Sequence, residues 1–425
     1  MSATARTVEH VTCLGCGCAC DDITVVVQRG RLTETRRACA LGTAWFGDGQ
    51  VPDAVRIRGR AGTLEQALAE ATALLRGGTR PLVYLAGDIS CEVQRDAVAI
   101  ADRLRGAIDS LAGTAAASVL AAQRRGRAGA TLGELRQHAL LVVFWGVDPS
   151  ARYPRYATRY AVDPVGLAAP AGRKSRRVVA VDVGDALGPA VADGRLAIRA
   201  DAEVDTLGAM RATLHGRGRA GGAMGTDASL QPAIALAHEM TTARYVAIVA
   251  DAEPGPTPSD PDRAEALIAL AQALNGPARC ALSMLRGGGN RSGADAVLTW
   301  QTGFPFAVDF ARGYPTYRPH AGAAERLANG EADVALVIGA PATLPDALAR
   351  GLASVAAVAI GPRASTAAWK PVVAVDTGIA GIHEGGTAFR MDDVPLPLRP
   401  ALNGEDVRSA AATVRALRER LERGT

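Results

Sequence analysis

Pro81-Leu82-Val83-Tyr84-Leu85-Ala86-Gly87 is a continuous apolar run closed by glycine, and Glu92 to Leu104 behind it repeats apolar residues at helical spacing. A short apolar run followed by an amphipathic helix reads as a buried strand feeding a crossover helix. The pattern extends in both directions. Leu64 to Leu75 is helical in spacing, and Leu140 to Gly146 is the next strand. Val178 to Val183, Tyr245 to Ala250, Ala281 to Leu285, Val334 to Ile338 and Val355 to Ile360 repeat it, with helical segments between most of them. The expected fold is α/β, built on parallel sheets of the doubly wound type. Such sheets bind ligands at the carboxyl ends of their strands. Gly87-Asp88, Gly146-Val147-Asp148-Pro149, Asp182, Asp251 and Gly339 stand at those ends, where simple turn chemistry also puts glycine and aspartate.

The 425 residues suffice for several lobes with sizeable cores. Hydrophobic residues make up 48% and charged residues 21%, an ordinary globular balance. With 47 basic and 43 acidic residues the net charge is +4, which argues against nucleic acid or an anionic membrane as partner. Arg124, Arg125 and Arg127 read as a solvated basic loop rather than a phosphate site. No apolar leader and no run of membrane-spanning length is visible, so a cytoplasmic location is expected. Ala220 to Gly225 and Glu253 to Asp262 read as flexible loops.

Five of the seven cysteines lie between Cys13 and Cys39; Cys91 and Cys280 stand apart. Clustering in a long chain favours metal ligation over a disulfide framework. Cys13, Cys16 and Cys20 on a tight loop, with Cys39 returning after a strand excursion, can surround one metal centre. Gly15 and Gly17 let the backbone fold closely around it, and Cys18 lies inside the loop as a substitute ligand. Four thiolates suit a 4Fe–4S cluster or a structural zinc. Zinc usually takes two paired ligand motifs, and the lone Cys39 favours iron–sulfur.

Cys-Leu-Gly-Cys-Gly-Cys-Ala-Cys-Asp-Asp-Ile (13–23) with Cys39 resembles the N-terminal cluster domain of molybdopterin and tungstopterin oxidoreductases, and within them the B subunit of formylmethanofuran dehydrogenase. The resemblance continues through Phe144-Trp145-Gly146-Val147-Asp148-Pro149, then Pro154 to Tyr160. The most specific match is Thr299 to Pro315, and Glu384 to Asp392 follows it. It implies a small cysteine-cluster domain (1–57) and an α/β lobe in two parts (58–140 and 323–425, the latter with a C-terminal helix). A second, Rossmann-like lobe is expected between them, over 141–322.

In that family a pterin-bound tungsten or molybdenum takes a cysteine or selenocysteine ligand from a Cys-His-Gly-Pro-like motif. The matching place here, Asp109 to Ser118, holds no cysteine and no histidine, leaving Ser110 and Ser118 as the alternative ligands. Cys91 precedes the helix and does not match. The family's Asp-Pro-Arg-like turn is Asp182-Val183-Gly184-Asp185. Its Arg-Gly-His-Tyr-Asn-like segment is Arg286-Gly287-Gly288-Gly289-Asn290. Trp145, Gly146, Asp148, Arg286, Asn290 and Arg312 are therefore expected to mark a vestigial pterin site without tungsto- or molybdopterin.

The resemblance implies a complex in which one subunit transfers a formyl group from tetrahydromethanopterin and an amidohydrolase-type subunit releases formate. The expected role is a non-catalytic structural subunit. The rivals are an active bis-pterin dehydrogenase and an electron-transfer module using only the cluster. In the stretch Trp300 to Tyr317, the aromatic residues and Arg312 read either as core packing or as an interface.

Overall fold

The computed structural model describes residues 5–216, 228–255, 261–402 and 407–423. The chain divides into two compact units. Unit one comprises Met1–Gly113, Gly287–Arg390 and Pro395–Thr425; unit two comprises Thr114–Arg286 and Met391–Val394.

Unit one opens with β1 (Arg6–Val11), β2 (Ile23–Gln28) and β3 (Arg31–Arg36), an antiparallel three-stranded sheet, then α1 (Ala40–Phe46). Next come β4 (Val55–Ile57), β5 (Arg60–Ala61), α2 (Leu64–Gly77), β6 (Pro81–Leu85), α3 (Cys91–Arg103) and β7 (Ala107–Ser110). Thr63 and Gln66 form a reciprocal capping box that starts α2.

Unit two carries α4 (Ala117–Arg125), α5 (Leu132–His138), β8 (Leu141–Trp145), β9 (Arg177–Val183) and β10 (Gly194–Ile198). It continues with α6 (Glu203–Leu214), α7 (Gln231–Thr242), β11 (Tyr245–Asp251), α8 (Pro261–Leu274) and β12 (Arg279–Leu285). Its sheet is wholly parallel, in the order β10-β9-β8-β11-β12. Every side chain of β8 and β11 is buried, as a strand covered on both faces requires.

The chain returns to unit one with α9 (Arg291–Thr302), β13 (Val308–Asp309), β14 (Thr316–Tyr317), α10 (Ala323–Ala328), β15 (Val334–Ile338), α11 (Asp346–Leu352), β16 (Ala356–Gly361) and β17 (Val373–Asp376). The hairpin β18 (Gly386–Phe389) and β19 (Pro395–Leu398) and the terminal α12 (Ala410–Glu422) complete it. The main sheet of unit one has nine strands, β14-β13-β7-β6-β15-β16-β17-β4-β5.

Only β7 to β17 of this sheet are parallel; β13–β14 and β4–β5 are antiparallel additions at its two edges. The expected parallel core is present, and the antiparallel edge strands are additions to it. The expected boundaries shift. Val55–Ile57 pair with β17, so the nine-stranded sheet begins inside the segment assigned to the cysteine domain. The cysteine loop shares a small core of Leu14, Ala380, Ala388 and Leu398 with the rest of unit one. The sequence-central lobe runs from Thr114 to Arg286 rather than 141–322. The reason is packing: α4 lies on α8, whereas α9 lies on α3 and β13 pairs with β7.

Of the expected flexible loops, 220–225 and 256–260 lie outside the described residues, Glu253 is buried, and Pro261 and Asp262 open α8. Among the described residues no helix is long and apolar enough to cross a membrane.

Candidate functional site

The cysteine loop folds back on itself: Cys13 N donates to Cys20 O (2.9 Å) and Ala19 N to Cys16 O (3.1 Å). Ala19 takes a left-handed backbone, φ 37°, to complete the turn. Cys13, Cys16, Cys18 and Cys20 are buried, and Cys39 is half-buried just before α1. Gly15 N donates to Cys13 Sγ at 3.3 Å, and Cys18 is hydrogen-bonded to Cys16. A Cβ built on Gly42 would meet Cys13 Sγ at 3.3 Å and Cys39 Sγ at 3.9 Å, so the distant cysteine reaches the loop. Burial pushes the Cys13 thiol well up, the Gly15 N–H opposes this, and Cys16, Cys20 and Cys39 add to the rise. Four sulfurs close enough to feel one another, in an apolar setting, with a backbone donor to sulfur, fit a thiolate-held cluster.

Among the described residues no three His, Cys, Asp or Glu side chains converge on a single metal ion. One zinc draws its thiolates to about 2.3 Å from a common point, whereas a four-iron cluster holds them further apart.

A Cβ on Gly288 would lie 2.3 Å from Leu14 O and 2.8 Å from Cys16 N, so only glycine allows this approach to the cysteine loop. Gly289 N donates to Leu14 O at 2.8 Å. Asn290 follows at φ 63°, opening α9. Its amide donates to Ile89 O (2.9 Å) and accepts from Phe389 N (2.9 Å), tying the segment before α3 and β18 to the start of α9. Asn290 is thus held by protein partners in unit one. Arg312, also in unit one, is exposed on the β13–β14 turn.

At the end of β7, Asp109 is buried and accepts from the backbone N–H groups of Ser110, Ala307 and Ala323. Desolvation nevertheless raises its pKa. Ser110 Oγ accepts from Ala112 N at 3.2 Å. Leu111 lies within 3.3 Å of a Cβ placed on Gly87 and 3.5 Å of one on Gly289, so an apolar side chain fills the space between those glycines.

In unit two, Trp145 is fully buried and its indole donates to Glu203 Oε1 at 2.7 Å. Glu203 is held by the buried Arg263 at 2.8 and 3.0 Å. The Trp145 ring is thus part of the core of unit two. Gly146 turns the chain at φ 60°, and the exposed Asp148 accepts from Ser150 N at 2.9 Å, an ordinary turn contact. Arg286 is buried, donates to Ala115 O and lies 3.8 Å from Glu253. Ser118 Oγ donates to Ala115 O at 3.4 Å. Arg124 and Arg125, at the end of α4, pair with Glu265, and Arg127 with Asp393, so the expected solvated basic loop is instead an ion-paired helix end and turn.

Sequence reasoning missed a cavity of about 500 Å³ in unit one. It opens at the carboxyl ends of β6, β15 and β16, with Trp45, Asp88, Thr343, Arg363 and Trp369 in its wall. Trp45 Nε1 donates to Asp88 Oδ1 (2.9 Å); burial raises the Asp88 carboxyl and this bond opposes the rise. Gly87-Asp88 and Gly339 were the signal; Trp45 and Trp369 carried none.

No family model matches the chain. It is 30% identical over 413 residues, 94% of each chain, to the B subunit of tungsten-containing formylmethanofuran dehydrogenase 2 from Methanocaldococcus jannaschii. To the protein of the same name from Methanococcus maripaludis it is 27% identical over 416 residues, again 94% of each. Among solved structures it matches a chain of the formyltransferase/hydrolase complex from Methylorubrum extorquens, crystallised with methylofuran. The TM-score is 0.68 at 25% identity, covering 87% of this chain and 99% of the other.

Proposed function

Because the chain belongs to the B-subunit family of formylmethanofuran dehydrogenases, we propose that it is the B subunit of a formyltransferase/hydrolase-type complex and moves no electrons itself. In this reading it holds amidohydrolase-type and formyltransferase subunits in tetrahydromethanopterin-linked one-carbon metabolism, on the route from formaldehyde to formate. Water adds to a formyl amide and formate leaves with the amine released. Carbon keeps its oxidation level, so no redox metal is required.

The observation that carries the reading is the Asp109–Ser118 segment. It has neither thiol nor imidazole, and Asp109 and Ser110 are buried and accept hydrogen bonds from backbone N–H groups. In unit one Leu111 fills the space between Gly87 and Gly289; in unit two Arg286 is taken up by Ala115 O and Glu253. These residues do not fit a pterin-bound tungsten or molybdenum. The N-terminal cysteines are a separate matter: Cys13, Cys16, Cys20 and Cys39 fit a 4Fe–4S cluster, which would staple the small lobe as binding energy becomes folding energy.

The test is metal analysis of the purified complex together with viologen dye reduction. Expected are tungsten and molybdenum far below stoichiometric amounts and no dye reduction with formate or a formylated carrier. Turnover that rises with tungsten or molybdenum content rejects the reading.

A further inference from the structure

We propose that the β13–β14 hairpin, with Trp300 at the end of α9, is a docking face for an acidic surface on a partner protein subunit. The inference rests on the subunit reading above and names the face it uses.

The hairpin forms an edge of the nine-stranded sheet. Its base is fixed. Val308 pairs with Ile108 and Tyr317, Phe306, Val308 and Phe310 are buried, and Phe310 N donates to Gly106 O at 3.0 Å. Tyr317 stacks on Phe304 and meets Phe306 edge-on, both with ring centroids 5.4 Å apart. Gly313 N donates to Phe310 O (2.8 Å) and Thr316 Oγ1 to Asp309 O (2.9 Å), which sets the turn.

The tip is open. Gly313 sits at φ 82° with open space where a Cβ would go, and Tyr314 is 55% exposed. Trp300 is 62% exposed although its ring leans on Phe389 at 5.4 Å. Among the described residues these two are the most exposed large apolar side chains of unit one. Held on a rigid base, they lose little conformational entropy on docking, and Trp, Tyr and Arg are the residue types that anchor interfaces.

Charge selects the partner. The segment 311–320 exposes Arg312, Arg318 and His320 and contains no carboxylate. Asp309 beneath it is buried and engaged by Arg326 (2.8 Å) and Arg318 (3.5 Å). Neighbouring elements add exposed Arg103 and Arg105 against Asp102 and Glu325. The surplus is positive and local. A chain of net charge +4 offers little field for a long polyanion, so a carboxylate-bearing protein surface fits better than nucleic acid.

The test uses the full chain with purified amidohydrolase-type and formyltransferase-type subunits, in binding titrations and hydrogen exchange. Arg312→Glu and the double variant Trp300→Ser/Tyr314→Ser should each weaken assembly roughly tenfold or more. Arg60→Glu, at the opposite edge of the same sheet, should stay within about twofold. Unchanged far-ultraviolet spectra and melting curves show that the variants fold. Exchange at 311–317 should slow in the complex. If the wild-type chain assembles but the variants do so equally well and exchange at 311–317 is unaltered, the face is refuted while the subunit reading survives. If the wild-type chain binds neither of the two partners, both fail. Binding of a single-stranded RNA 20-mer that is lost in Arg312→Glu, with subunit assembly intact, overturns the assignment in favour of nucleic acid.

Discussion

Gly288→Ala tests how closely the cysteine loop is built into unit one. The new Cβ would sit 2.3 Å from Leu14 O, 2.7 Å from Gly15 C and 2.8 Å from Cys16 N, all backbone atoms of the loop. A flexible side chain could swing away; these atoms cannot. On the loop's other side a Cβ at Gly15 would be 3.0 Å from Leu41 O, so retreat is blocked too. Retreat would also lengthen the bond from Gly289 N to Leu14 O. Overpacking of this kind costs about 3 kcal/mol, which lowers the melting temperature by about 6–12 °C in a unit of this size. The comparison is Gly77→Ala at the end of α2, where a Cβ meets nothing within 4 Å and the change should be neutral or slightly stabilising. Thermal melts followed by circular dichroism, with iron content after anaerobic reconstitution, measure both effects. Gly288→Ala melting within about 2 °C of wild type and binding the same iron would refute the tight-packing argument.

Cys16→Ser should cut the iron retained after reconstitution, while Cys91→Ser, at the start of α3, should not; equal iron in both variants removes Cys16 from the ligand set. Glu203→Leu leaves buried Arg263 without its carboxylate and Trp145 without its acceptor, at a cost of about 3–5 kcal/mol in urea unfolding of the full chain. The double variant Glu203→Leu/Arg263→Met should recover most of that loss; a single variant as stable as wild type contradicts the core role of Trp145. His383 is buried, with Nε2 2.7 Å from Gly49 O and Nδ1 accepting from Ile379 N, and burial holds its pKa below the ordinary value near 6.5. The folded state therefore resists the proton that the unfolded chain accepts. The stabilising effect is complete above about pH 6.5 and is lost as pH falls toward the folded pKa. Glu384 has a carboxyl raised by burial and works in the opposite sense, so the measurement is the difference in melting temperature between wild type and His383→Gln. That difference should shrink from pH 7.5 to 5, and a constant one sinks the argument.

The parallel cores were legible because β6, β8, β11 and β15 are uninterrupted apolar runs, buried throughout. The edges were not. β5, β13 and β14 have two residues each, too few to show any period, and they exist because longer neighbours offer them a ladder. The unit boundary moved for the same reason: α9 belongs with α3, a tertiary fact that its own amphipathic pattern does not encode. The cysteine loop was readable from spacing, since Cys13, Cys16 and Cys20 are near neighbours in the chain. The contact of Gly288 with Leu14 spans most of the chain and leaves no local pattern. In Trp300–Tyr317 the core reading holds in part: Phe306 and Phe310 are core, whereas Trp300, Arg312 and Tyr314 are exposed.

The departures from the family motif make physical sense together rather than singly. Removing side chains from residues 287–289 would by itself open a void, at a cost that grows with its volume. In unit one the backbone of residues 14–16 reaches Gly288, and Leu111 reaches Gly289. A place that the resemblance associates with a polar cofactor is here occupied by apolar and backbone atoms, including an inward-facing leucine that stabilises by burial. In unit one the buried Asp109 is satisfied within the protein by three backbone N–H groups. A carboxylate kept for a ligand would have no need of all three donors. That bonding is what a carboxylate built into packing requires, and with Leu111 beside Gly87 and Gly289 it supports the proposal that this chain is a subunit whose work is to hold others.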